Sequence, residues 1–247
     1  YFSPSRTVEN IALLRKLGQK EFFVLDDVFI ANPKHMERIY IELESKGIPI
    51  QNTFKFFAHI KCLNPTTLKW IDKFKPIRLQ VGIESGDDRM LKEMGKTFLS
   101  DEAKSKLDAL SKLKIPVTGL FLVGYPTEDE KSLQNTLQFI RSCRSKMQSI
   151  WVSIYQPVFG TVGYEVAKIR NPNGIHPGRS NTVTYVDPNL TEEMIIRYRD
   201  YMFDEYELAS LKRLFKRSVL AVLPEFFAAF LRKQMRATKQ FVSRKNE

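Results

Sequence analysis

Apolar residues along this chain follow two alternating spacings. Glu21–Leu25, Ile50–Ala58, Ile77–Ile83, Ile115–Val123 and Ile150–Tyr155 are short runs rich in β-branched and aromatic residues, which predict strands. Between them, apolar residues recur every three or four positions, as in Val8, Ile11, Leu14 and Leu17, which predicts helices. Asn32 before Pro33, and Asn64 before Pro65, mark helix starts, and Gly18 and Gly47 mark helix ends. Ser100 begins a helix to about Lys114, and Thr127 with Glu130 predicts a capping box for a helix to about Lys146. Ile169–Asn189, rich in Asn, Pro and Gly, reads as a loop. Thr191 opens a long helix to about Arg217, and Val219–Val242 gives one more, interrupted near Pro224. Strand and helix alternating through short connections predict the α/β class: a parallel sheet with helices outside it, wound by right-handed crossovers into part of a barrel.

The strand ends of such a sheet form one rim, where α/β folds hold ligands. Asp26 and Asp27, His59 and Lys61, Glu84 and Ser85, Tyr125 and Glu128, and Gln156 and Thr161 all follow strands and are expected there. The stretch Leu79–Lys96 is the densest of these. It runs from a buried strand through Glu84, Ser85 and Gly86, a residue that permits close backbone approach, into a helix opened by Asp87 and Asp88. Each candidate has a structural alternative. Glu84 and Ser85 could serve only to cap the following helix, and Asp26–Asp27 could begin a solvated turn. His59 could be a core histidine bound to a backbone carbonyl, and Lys61 could form an ordinary surface ion pair.

Charge and cysteine content refine this picture. The formal net charge is +11, but much of the excess lies at the end. Lys212, Arg213, Lys216, Arg217, Arg232, Lys233, Arg236, Lys239, Arg244 and Lys245 face only Glu225 and Glu247 there. With Phe226, Phe227, Phe230 and Leu231 beside Arg232 and Lys233, that tail suits three roles: contact with an anionic membrane surface, contact with nucleic acid, or an apolar face packed on the barrel with solvated cations. No recognised RNA-binding motif accompanies the charge. The two cysteines, Cys62 and Cys143, fit no metal-ligand spacing. They read as inert thiols of a reduced, cytoplasmic protein, peripheral to the membrane if the tail binds lipid.

Four segments together resemble the radical S-adenosylmethionine enzymes, in particular the cobalamin-binding branch. They are FFVLDDVF at Phe22–Phe29, VGIESGDDRMLKEMGK at Val81–Lys96, GLFLVGYPTEDE at Gly119–Glu130 and PVFGTVGYEVAK at Pro157–Lys168. The resemblance implies a partial (β/α)6 TIM-type barrel over residues 1–168, the loop 169–190, and a basic helical extension over 191–247. It implies that S-adenosylmethionine binds across the strand ends, where an electron from a 4Fe–4S cluster releases a 5′-deoxyadenosyl radical. By position, Asp26 and Asp27 match contacts to the methionine amino group. Glu84, Ser85 and Gly86 match those to the amino-acid or ribose part, Val123, Gly124 and Tyr125 the edge beside adenine, and Gln156 the last strand end.

The family holds its cluster with CxxxCxxC after a first strand, and neither that motif nor that strand has a counterpart here. The resemblance therefore implies that the cluster, and the cobalamin domain if there is one, are supplied by residues outside this chain, with flavodoxin or ferredoxin as electron donor. The expected reaction is methyl transfer to, or rearrangement of, an unreactive carbon of a small-molecule substrate. The alternative is a non-catalytic S-adenosylmethionine-binding or scaffold protein that has lost the cluster.

Overall fold

The structure, a computed structural model, describes residues 2–26, 28–176, 178 and 182–216, with side chains described up to Tyr206. Asp27, Pro224, the segment Val219–Val242 and the basic residues from Arg217 onward lie outside the described residues. Residues 1–206 form one compact unit, and a second unit begins at Glu207.

Five strands make one parallel sheet in sequence order: β1 (Phe22–Val24), β2 (Phe54–His59), β3 (Arg78–Glu84), β4 (Val117–Val123) and β5 (Ser149–Ile154). Each is preceded or followed by helix: α1 (Pro4–Lys16), α2 (Pro33–Ser45), α3 (Pro65–Phe74), α4 (Asp88–Glu93), α5 (Ser100–Lys112), α6 (Glu130–Cys143), α7 (Val162–Arg170) and α8 (Glu192–Lys216). The α/β class and the helix-flanked parallel sheet match the expectation.

The helix starts follow from their capping residues. Asn32 accepts from the His35 amide, and Asn64 forms a reciprocal box with Thr67, each followed by proline at the first helical position. The long helix α6 departs from expectation. It begins two residues later than its Thr–Glu signal, because Asp129 and Ser132 form the box, while Thr127 sits at φ +75° in the preceding turn.

Alternation within the strands sends one set of side chains to the helices. Phe54, Phe56, Leu79, Val81, Ile83, Phe121 and Val152 are buried there in a single core. The other set faces away from that core, and here the sheet is open. Phe57, His59, Gln80 and Gly82 are only half-buried, and Phe23 and Trp151 are 45% and 55% exposed. A parallel sheet is ordinarily covered on both faces. Register aligns His59, Gly82, Leu120 and Trp151 as one row across the open face, with Phe57, Gln80, Thr118 and Ser149 as the row below.

The segment after β5 is more ordered than its composition suggests. Thr161 caps α7 by accepting from the Tyr164 amide. The predicted loop 169–189 contains a short 3-10 turn at Pro172–Gly174 and an antiparallel bridge between Ile175 and Tyr185.

Candidate active site on the open sheet face

The rim is built around the end of β3. Pairing between β3 and β4 slips there: Gly82 is opposite Leu120, yet Glu84 is opposite Phe121, so Ile83 is an extra residue and the strand bulges. A bulge re-aims the side chain that follows it. Glu84 takes φ +70°, an uncommon conformation for a residue with a side chain, of a kind that gathers at ligand sites. Its carboxylate turns back over Gly82, with Oε1 3.0 Å from where a Gly82 Cβ would stand.

Lys96 closes on Glu84 from the far end of α4. Met94 caps that helix, Gly95 follows at φ +70°, the Gly95 amide donates to Lys92 O and the Lys96 amide to Leu91 O. This double reversal is how a glycine turns a chain at a helix end. It returns Lys96 to the rim, where Nζ lies 3.1 Å from Glu84 Oε1, both side chains about three-quarters buried.

The neighbours of Glu84 have other duties. Ser85 is fully buried, its hydroxyl bonded to Thr136 Oγ1 at 3.0 Å and accepting from the Asp87 amide at 3.1 Å. Gly86 is a glycine because α6 approaches: a Cβ there would stand 2.3 Å from Phe139 Cβ. The close approach expected of a ligand is thus made by the protein itself. Asp87 caps α4 and holds Asn135 Nδ2 at 2.6 Å. Ser85, Gly86 and Asp87 therefore stitch the end of β3 to α6, which fixes the base from which Glu84 projects.

The turn after β4 is held from below. Gly124 has φ +83° and donates to Glu128 Oε2 at 2.5 Å. Glu128 is fully buried, and its other oxygen has no hydrogen-bond partner. Burial raises its pKa to about 8, against the lowering effect of the Gly124 and Tyr125 amides. Val123 points into the helix-side core. Tyr125 packs edge-on against Tyr155 at 5.0 Å, in a small second cluster with Met90, Ala167 and Tyr185. The side chains of Val123 and Tyr125 thus support the turn.

Asp187 is a residue that sequence reasoning missed, hidden in the expected loop. It is fully buried and accepts from Arg170 Nε and Nη2 at 2.6 and 2.9 Å, from the Thr127 and Asn189 amides at 3.1 Å each, and from Tyr185 Oη at 3.0 Å. Burial alone would raise its pKa, but these donors, Arg170 foremost, hold it below the usual carboxylate range. It pins the β4–α6 turn from outside while Glu128 pins it from inside.

At the other end of the sheet Asp26 is exposed, just past β1. It borders a cavity of about 200 Å³ between α1 and the strand edge, also lined by Asn10, Phe22 and His35. Asp26, Gly124 and Gln156 follow the carboxyl ends of β1, β4 and β5, and Glu84 is the last residue of β3. β1 and β3 are two strand spacings apart, about 10 Å, and Glu84 is not among the residues lining the cavity that Asp26 borders. Among the described residues no group of three metal-ligating side chains occurs, and burial raises the pKa of both Cys62 and Cys143, the reverse of what a thiolate ligand requires. Among the described residues, no helix is long and apolar enough to cross a membrane.

Residues 1–140 match the profile of the Radical SAM superfamily. An uncharacterised methyltransferase of Pyrococcus horikoshii is 25% identical over 170 residues, covering 68% of this chain and 36% of that protein. The ribosomal protein uS12 methylthiotransferase RimO of a Sulfurihydrogenibium species is 24% identical over 208 residues, covering 75% of this chain and 45% of that protein. The chain thus spans less than half the length of these relatives. Among solved structures, the methyltransferase TsrM from Kitasatospora setae, bound to tryptophan and an S-adenosylmethionine analogue, superposes with a TM-score of 0.61. It is 10% identical, with 81% of this chain and 46% of that one covered. The cobalamin-dependent enzyme OxsB gives 0.52 at 19% identity, covering 69% of this chain and 26% of that one.

Proposed function

This chain belongs to the radical S-adenosylmethionine superfamily, and on that premise we propose that its open sheet face is the cofactor-binding wall of a radical S-adenosylmethionine enzyme. One observation carries the reading: at the end of the central strand, a carboxylate held at φ +70° over a glycine is paired with a lysine at 3.1 Å. The methionine end of the cofactor carries one ammonium and one carboxylate. The Glu84–Lys96 pair offers one partner of each sign for them.

The residues fit the cofactor in a second respect. Gly82 supplies no side chain, so the Glu84 carboxylate can lie over the strand and present itself on the open face to the amino-acid end of the cofactor. The Gly124–Tyr125 backbone, held by Glu128 in a turn whose Thr127 amide donates to Asp187, is the next part of the rim toward β5 in this reading, suited to the adenine edge. Asp26 is assigned to the β1 side of the same rim.

The cluster does not fit this chain. It needs three thiolates, and the sequence has two cysteines. We assign its ligands, and any cobalamin site, to residues outside this chain, and derive no step through either. Bound together, the cluster and cofactor supply homolytic chemistry at an unreactive carbon. The names of the relatives favour transfer of a methyl or methylthio group, and the likeness to two methyl-transfer or cobalamin enzymes of known structure supports cobalamin-dependent methyl transfer or rearrangement.

The test is equilibrium binding of S-adenosylmethionine to the chain and to Glu84→Ala, with folding checked by circular dichroism. The expected result is saturable binding that weakens about tenfold or more in the variant, a loss matching one charge-assisted hydrogen bond. Equal affinity in a folded variant removes Glu84 from the site. No binding by either protein overturns the reading.

A further inference from the structure

His59 ends β2 on the open face, in the row that also holds Gly82, Leu120 and Trp151. Its register partner Gly82 has no side chain, so the group beside the imidazole on that strand is the Glu84 carboxylate folded over the glycine. Three charged groups act on the ring: Lys96 and Glu84 of the site, and Lys61. Lys61 is engaged elsewhere, 2.8 Å from Glu102.

The orientation of His59 is fixed from two sides. Nδ1 accepts the Lys61 amide at 3.2 Å, and the ring stands edge-on to Phe98 at 5.5 Å. A core histidine satisfied by a backbone carbonyl would donate from a ring nitrogen; this one receives a proton donor instead. An imidazole whose Nδ1 accepts must carry its proton on Nε2 when neutral. Burial first, and then Lys96, keep its proton affinity low, so the neutral ring is the form present near pH 7. Among the described residues, none bonds to Nε2. The structure thus holds an N–H donor on the open face, one strand from Glu84, with no acceptor among the described residues.

Resting on the cofactor-site reading above, we propose that His59 is a third ligand-contacting residue: its Nε2–H donates to the carboxylate of the bound amino-acid moiety, beside Lys96. Glu84 then takes the ammonium. Two donors on one side of an acid distinguish an α-amino acid end from a plain amine. His59 thereby sets specificity for the carboxylate, and no proton is transferred.

The experiment compares S-adenosylmethionine with its decarboxylated analogue, binding each to the full chain by calorimetry. Wild type should prefer the carboxylated ligand. His59→Phe, which keeps the contact with Phe98, should lose about tenfold in affinity for S-adenosylmethionine and little for the analogue; His59→Gln, which retains an N–H donor, should recover most of the preference. A preference unchanged in His59→Phe overturns the proposal, as does an equal loss for both ligands, the mark of a merely structural role.

A readout that needs no variant is nitrogen NMR of the chain's 3 histidines. The His59 Nε2 signal should shift on adding S-adenosylmethionine and stay in place with the analogue; the same shift with both ligands counts against the contact. If wild type binds neither ligand, the cofactor reading itself fails and this inference goes with it. If wild type binds both but His59 makes no difference, only this inference fails.

Discussion

The Glu84 carboxylate occupies the space over Gly82, its Oε1 3.0 Å from where a methyl on that glycine would sit. That separation is tighter than ordinary carbon–oxygen packing, so the two positions cannot both be filled without displacement. Gly82→Ala should leave the fold intact, because Gly82 lies inside a strand, where alanine is better tolerated by about 0.5–1 kcal/mol. Its methyl should push the carboxylate off its seat and away from Lys96. The expected outcome is thermal stability equal to or above wild type, with S-adenosylmethionine affinity several-fold weaker by calorimetry. Wild-type affinity in Gly82→Ala would mean that the carboxylate position does not matter to the ligand.

How much of this site was legible in the sequence follows from which forces are local. The strand at Ile77–Ile83 and the α4 start at Asp87 were readable, because a buried run and an N-cap are patterns of neighbouring residues. Lys96 was not singled out, although its cause is local too: the glycine after Met94 that turns the helix end back. The bulge that re-aims Glu84 depends on pairing with β4, some 35 residues away, and no nearby residue announces it. The bond that Ser85 makes to Thr136 is hidden for the same reason. A serine beside a rim glutamate reads as a ligand contact until α6 packs Thr136 against it. Asp187 lay in a stretch whose Asn, Pro and Gly suggested only a loop, and three of its five donors, two from Arg170 and the Thr127 amide, come from residues distant in the sequence.

Glu128 gives stability an unusual pH slope. Its pKa is about 8 in the folded chain against an ordinary 4.5. Between those values the folded state holds a proton that the unfolded state has released, so stability falls as pH rises from about 4.5 through about 8. Glutamine is uncharged and still accepts from the Gly124 amide. Glu128→Gln should therefore flatten the slope, equalling wild type near pH 5 and exceeding it at pH 8.5. Urea unfolding midpoints at pH 5, 6.5 and 8.5 check this. Parallel curves for the two proteins would show that Glu128 is not the group that titrates.

Across the same turn, Asp187 should behave in the opposite sense. Its folded pKa is depressed, so its contribution is present above the ordinary carboxylate range and is lost as pH falls through the folded value, below about pH 4. Removing it strands the Arg170 guanidinium and two backbone amides. For a fully buried partner of a bidentate pair, that costs about 3–5 kcal/mol. Asp187→Ala should therefore unfold at markedly lower urea at pH 7, with the gap to wild type narrowing toward pH 3. Because Thr127 loses its outside anchor while Glu128 keeps hold of Gly124, the variant should also loosen the rim selectively. Amide hydrogen exchange should quicken at Thr127 before it does at Val81, inside β3. Uniform acceleration through the sheet would instead make Asp187 a support of the whole fold, with no particular bearing on the rim.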